Sequence, residues 1–207
     1  LIQGTAMTVE IFFVTLVLSL PLGMLVCFGR MSKNIVVRSF FKFYISVMRG
    51  TPLMLQLMVF YFGPFYLFGM QITETWKQLA WILGFSLNYA AYFAEIYRGG
   101  IESMPQGQYE AAKILGYSRS QTFMRIILPQ VIKRVMPSIT NEAITLVKDT
   151  SLAFTLSIME LFNQAKALAA RETNMISYAI AALIYYVFCL LVAFVMEQAE
   201  KKMNYYR

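Results

Sequence analysis

Four ionisable residues lie in or beside one apolar stretch of the chain: Glu142, Lys148, Asp149 and Glu160. A bilayer makes such groups costly. An Asp at the centre of a spanning helix disfavours insertion by about 2.5–3.5 kcal/mol, so it turns towards protein or a water-filled path. Counting about 100° per residue, Glu142 and Glu160 both fall roughly 20° from Asp149. A helix continuous through the stretch therefore carries three acids on one face. That face can hold an ammonium group or pass protons, or it can serve only to pair helices and fix their packing. Lys148 points about 100° away and does not face its neighbour Asp149. Ser151 shares the KDTSLA stretch with both. Asn88 adds an amide that can bind a carboxylate or tie helices together, and the tie is the preferred reading. Gln56 and Tyr61 read as packing groups with the option of lining a wall. Glu95 and Arg98, three apart, read as a structural pair.

The elements that must position these groups follow from composition. Of 207 residues, 58% are hydrophobic and only 14% charged, and the mean hydropathy is +0.57. Soluble chains carry about a quarter charged residues, so this is an integral membrane protein. A hydrocarbon core of about 30 Å needs about 20 apolar residues in helix. Five stretches qualify: Thr8 to Gly29, Thr51 to Gly69, Gln78 to Tyr97, Met136 to Ser157 and Ile176 to Met196. The first is long, lacks a basic start and is followed by positive charge, so it reads as a retained span. Gly63-Pro64 is expected to kink the second. Trp76 and Trp81 are expected near a membrane interface. Cys27 and Cys189 lie far apart in apolar runs and read as buried small hydrophobes. With no histidine and no closely spaced cysteines, no zinc or haem site is expected.

The 18 Lys and Arg are not evenly distributed. Arg30, Lys33, Arg38, Lys42 and Arg49 follow the first span. Arg98, Lys113, Arg119, Arg125, Lys133 and Arg134 lie between the third and fourth. Lys201, Lys202 and Arg207 end the chain. Only Lys77, Lys166 and Arg171 fall on the other side, and Lys148 is within a span. Positive charge concentrates in cytoplasmic loops, so the N-terminus is expected outside and the C-terminus inside. The same bias accounts for the net charge of +7 without nucleic acid.

The region from about 105 to 129 is then cytoplasmic. Glu110, Ala111 and Ala112 open a helix-forming run, with Glu110 and Lys113 at helical spacing. Gly116 can stop it in a left-handed conformation. Ser118-Arg119-Ser120-Gln121 has the form of a capping box, and Pro129 is expected to interrupt the second helix before the next span.

The order Glu110-Ala111-Ala112, Gly116, Ile126, Leu128-Pro129 resembles the EAA loop of ABC importer permeases. RGTPLMLQL (49–57), LNYAAYFAEIYRGGIESMPQGQYEAA (87–112) and KDTSLA (148–153) resemble the polar amino acid uptake branch, which carries histidine, glutamine, arginine and cystine. The resemblance implies an all-α type I importer fold: one five-span permease domain over residues 1–207 in the bacterial cytoplasmic membrane. It implies that Glu110, Ala111, Ala112, Gly116, Leu128 and Pro129 couple to a separate ATPase, which alone binds ATP and Mg. This chain shows no G-x-x-x-x-G-K-[ST] loop, and no cofactor of its own is expected. The implied partners are an ATPase pair, a second permease (identical or homologous), an extracytoplasmic solute-binding protein, lipid and an amino acid. Substrate-path candidates are Asn88, Lys148, Asp149, Ser151 and Glu160. The acids suggest a cationic amino acid such as arginine or histidine; glutamine, cystine or another amino acid is the alternative. An ATPase-independent secondary transporter or channel, using Lys148 and Asp149 as a relay, is the rival class. No inverted internal repeat supports it.

Overall fold

The computed structural model describes residues 1–202, and over these the chain is all helix. The helices are α1 (Ile2–Arg30), α2 (Ile35–Gly50), α3 (Leu53–Phe68), α4 (Glu74–Glu102), α5 (Gln106–Ile114), α6 (Arg119–Thr122), α7 (Leu128–Asp149), α8 (Leu161–Glu172) and α9 (Ile176–Lys202). A π-helical turn, Phe123–Ile127, joins α6 to α7, and a 3-10 helix, Thr150–Leu156, follows α7. Arg207, counted above with the C-terminal charges, lies outside the described residues.

Among the described residues, α1 and α9 are long and apolar enough to cross a membrane unaided, and α2 with α3 makes a third candidate if taken as one span bent by 110°. The bend falls at Thr51-Pro52, and α3 runs on through Pro64. Helix α2 was not expected from the sequence as a helix. Its basic residues hid a regular element, capped by the Asn34 side chain accepting from Val36 and Val37.

Helix α4 is the centre of the bundle. It packs against α1, α2, α3 and α7, and Phe85, Tyr89, Ala90, Ala91, Phe93 and Ala94 are buried. Small residues set the spacing, as they must where apolar helices gain nothing from leaving lipid. A Cβ on Gly23 of α1 would come within 2.8 Å of the Phe93 Cβ and 3.1 Å of the Ala90 carbonyl oxygen. On Gly84 it would meet Leu57 of α3 at 2.6 Å, and on Gly100 it would meet Val135 of α7. Trp81 is 2% exposed and packs in this core. Trp76 instead ties α4 to α3, its indole N–H donating to the Tyr61 carbonyl at 3.0 Å. Cys27 and Cys189 are both free thiols, the first fully buried.

Two adjacent glycines give the packing a direct test. Gly100 faces Val135, whereas Gly99 has open space around its Cβ position. Gly100→Val should destabilise the purified protein by about 1–3 kcal/mol through overpacking. Gly99→Ala should be neutral or gain up to about 1 kcal/mol in helix propensity. Thermal unfolding in detergent measures both.

Candidate coupling surface and intramembrane polar site

The first candidate site is built by α5, α6 and the turn between them. Helix α5 starts after Pro105, earlier than Glu110. Gly116 takes φ +78°, and Tyr117 N–H closes the turn onto the Ala112 carbonyl at 3.0 Å. Ser118 then caps α6: its hydroxyl accepts from Gln121 N–H, and the Gln121 side chain accepts from Ser118 N–H at 2.9 Å. Ala112 is buried against the rest of the chain, while Glu110 and Ala111 are exposed. Beside them Ile114 and Leu115 are 86% and 73% exposed. These two large apolar groups, at the end and the C-cap of α5, are exposed on the chain, and the sequence reading did not single them out. They adjoin a cleft of about 650 Å³ lined by Tyr109, Lys113, Tyr117, Arg119 and Phe123.

Pro129 does not interrupt the chain as expected. Helix α7 starts at Leu128, so the proline sits in its first turn, where its missing N–H has no intrahelical partner to lose. The preceding turn widens to π geometry, the form a helix takes when one residue too many must be accommodated. Arg134 of α7 donates to the carbonyl and hydroxyl oxygens of Ser103 at 2.7 and 2.9 Å. This clamps α7 to the end of α4 immediately before α5.

The second site surrounds Asp149. The Tyr89 hydroxyl of α4 donates to Asp149 Oδ2 at 2.7 Å, and Glu142, two turns earlier on α7, is half-buried. Lys148 turns elsewhere, as the helical count required. With Ser151 it lines a cleft of about 570 Å³ between α7 and α9, shared with Tyr185, Tyr186 and Cys189. The Ser151 hydroxyl donates to the Lys148 carbonyl at 2.7 Å.

The expected three-acid face is not formed. The α-helix ends at Asp149, a 3-10 segment follows, and Ser157 at φ 55° turns the chain. Glu160 is therefore off the α7 register. It is the fully buried N-cap of α8, accepting from Phe162 and Asn163 N–H at 2.7 Å each and from the Tyr185 hydroxyl at 2.9 Å. Glutamate is not a preferred N-cap residue, so the sequence carried no cue to this role. What α7 does present is a different row. Arg134, Ser138, Asn141, Thr145 and Lys148 are all exposed, and at 100° per residue they fall within about 80° of one another.

Asn88 is a tie. Its amide donates to the Met48 carbonyl at 3.0 Å and to Gln56 Oε1 at 2.9 Å, while Gln56 donates back to Met48, to the Thr51 carbonyl and to the Thr51 hydroxyl. This pins the bent α2–α3 joint to the middle of α4. Glu95 and Arg98 pair through contacts at 2.7, 3.1 and 3.2 Å, and Arg98 continues to Glu102.

A close-packed helical bundle with polar groups held inside it and a short exposed helix beside it has the form of a transporter's membrane subunit. Residues 19–205 match the binding-protein-dependent transport system inner membrane components, and the chain belongs to that family. It is similar to the probable amino-acid ABC transporter permease YckA of Bacillus subtilis, 40% identical with 99% of this chain and 89% of that protein covered. The arginine transport system permease ArtQ of the same organism is 37% identical, covering 99% and 92%. The putative glutamine transport permease GlnP of Rickettsia typhi is 35% identical, covering 98% and 92%. Among solved structures, an amino acid ABC transporter crystallised with histidines superposes with a TM-score of 0.88 at 31% identity, covering 97% and 92%. The methionine transporter MetNI in an inward-facing form shares the fold at TM-score 0.75 and 18% identity, covering 99% and 96%. The protein is a non-catalytic ABC importer permease of the amino acid branch, and ATP hydrolysis resides in a separate subunit.

Removing the Asn88 amide leaves the Met48 carbonyl and Gln56 short of partners. Asn88→Leu should cost about 1–3 kcal/mol and raise amide hydrogen exchange selectively around Thr51 to Leu55.

Proposed function

We propose that this chain moves a polar amino acid into a bacterium by alternating access, as one of two permeases, identical or homologous, that enclose the path between them. Five spans cross the cytoplasmic membrane: α1, α3 (with α2 leading into it), α4, α7 and α9, with the N-terminus outside and the C-terminus inside. Helices α4 and α7 carry more polar groups than α1 and α9 because protein and path cover them in place of lipid. An ATPase pair, which holds ATP and Mg, docks on α5, and a solute-binding protein delivers substrate from outside. The observation that carries this reading is the exposed face of α5, Glu110, Ala111, Ile114 and Leu115, at the end of the bundle richest in Lys and Arg. An ATPase-independent channel or secondary transporter has no use for it.

Nucleotide-driven closure of the ATPases moves α5, and the Arg134–Ser103 clamp carries that motion to α4 and α7 together. Both helices then shift as the path changes sides, which is the two-arrangement element that alternating access requires. Inside, Asp149 and Glu142 face the substrate's positive charge. Lys148 ends the exposed polar row of α7, with Ser151 beside it at the edge of the path. The relatives named for arginine, glutamine and amino acids in general support the substrate class. The two acids favour a cationic amino acid such as arginine or histidine over glutamine or cystine.

Leu115→Asp should leave the bundle folded. It should lower binding-protein-stimulated ATP hydrolysis in proteoliposomes about tenfold or more, the effect of about 1.4 kcal/mol of lost docking energy; unchanged coupling would overturn the α5 assignment. Asp149→Asn should weaken uptake of arginine more than of glutamine. Equal loss of both would overturn the preference for a cationic side chain and leave Asp149 to the shared α-ammonium group or to packing.

A further inference from the structure

Arg49 stands at the end of α2, beside the pinned joint with α3, and the permease reading above gives it no role. Its guanidinium carbon lies 5.3 Å from the centre of the Tyr92 ring. One terminal nitrogen reaches Glu95 at 3.8 Å, and its side chain is 43% exposed. It lies within electrostatic reach of Glu142 on α7. The groups facing it from the packed elements are thus Tyr92 and Glu95 of α4 and Glu142 of α7.

Three features make this arginine different from Arg98 beside it. Glu95 already receives close contacts from both the Nε and a terminal nitrogen of Arg98, so it remains neutralised if Arg49 moves. Arg49 contributes only the long single contact. A guanidinium held beside an aromatic ring by its charge keeps N–H groups for other partners, and its planar fork suits a carboxylate gripped by two parallel bonds. Tyr92 is one turn along α4 from Tyr89, the partner of Asp149, and the two rings lie 6.2 Å apart. Arg49 therefore sits roughly 5–9 Å further towards the α5 end than the Asp149 site, at 1.5 Å per residue.

We propose that Arg49 is a carboxylate-binding residue of the inner half of the path, which takes the α-carboxylate of the amino acid as it leaves the Asp149 region. This rests on the reading that the polar faces of α4 and α7 border an amino acid path. Tyr92 holds the guanidinium plane in position. The loose contact to Glu95 neutralises it while the site is empty, and Arg98 stays on Glu95 when a substrate carboxylate takes over.

The test uses the permease with its ATPase, in detergent without nucleotide or binding protein, so that the binding protein's own selectivity does not enter. Equilibrium binding of L-arginine and L-glutamine is compared with that of L-argininamide and L-glutaminamide, which lack the carboxylate charge. In the unaltered complex the acids should bind at least about tenfold more tightly than the amides. Arg49→Gln should bring that ratio close to one by weakening the acids alone, and Arg49→Lys, which keeps charge without the planar fork, should restore part of it. Arg49→Gln weakening acids and amides equally, or neither, overturns the proposal. Asp149→Asn separates the two readings. If it weakens binding of the acids while Arg49→Gln leaves the acid-to-amide ratio intact, only the Arg49 assignment fails. If neither acid binds the unaltered complex, the path reading itself fails.

Discussion

The closeness of α4 to its neighbours is the constraint from which the rest of this structure follows. Lipid is as apolar as the helices it surrounds, so a bundle in a membrane coheres through contact and internal hydrogen bonds. Gly23, Gly84 and Gly100, with Ala90 and Ala94, let backbones approach until no Cβ would fit. That approach lets several polar groups of α4 find partners across a neighbouring helix. Asn88 reaches the α2–α3 joint, Tyr89 reaches Asp149, Tyr44 donates to the Leu87 carbonyl, and Ser103 meets Arg134. With the helices spread by a methyl group, these bonds lengthen and buried polar groups lose partners in a medium that offers none.

Much of this was legible in the residues. Apolar run length found α1, α3, α4 and α9, because those runs are long and the local rule is simple, but it placed α7 eight residues too late at each end. The capping box at Ser118 and the left-handed Gly116 were readable because each depends on residues within one turn. The failures were where a distant contact decides. The amphipathic α2 is held by α4 and by the Gln56–Asn88 tie, which no window of sequence contains. The break of α7 into 3-10 geometry after Asp149 has no proline or glycine to announce it, so a face drawn through to Glu160 continued past the true helix end.

The polar site shows the same division. That Lys148 and Asp149 diverge follows from adjacent positions on a helix, and they do diverge, one towards α9 and one towards α4. That Glu160 caps α8 instead of joining them depends on where the chain turns. Once the turn at Ser157 is in place, its carboxylate satisfies two N–H groups and a tyrosine hydroxyl at once. The row Arg134, Ser138, Asn141, Thr145 and Lys148 was present in the sequence at regular spacing. It escaped notice because only two of its members carry charge.

The π-helical turn at Phe123–Ile127 makes the relation between α5 and the bundle a matter of reading frame. It stores one surplus residue between α5 and α7, and one residue is about 100° of rotation. A chain shortened by a single residue there could close into ordinary α-helix with every side chain on both sides unchanged. The face of α5 would then be turned roughly a quarter-circle relative to the bundle. Two permeases with identical docking residues can thus differ in which way they present them, and a comparison of those residues alone would not reveal it.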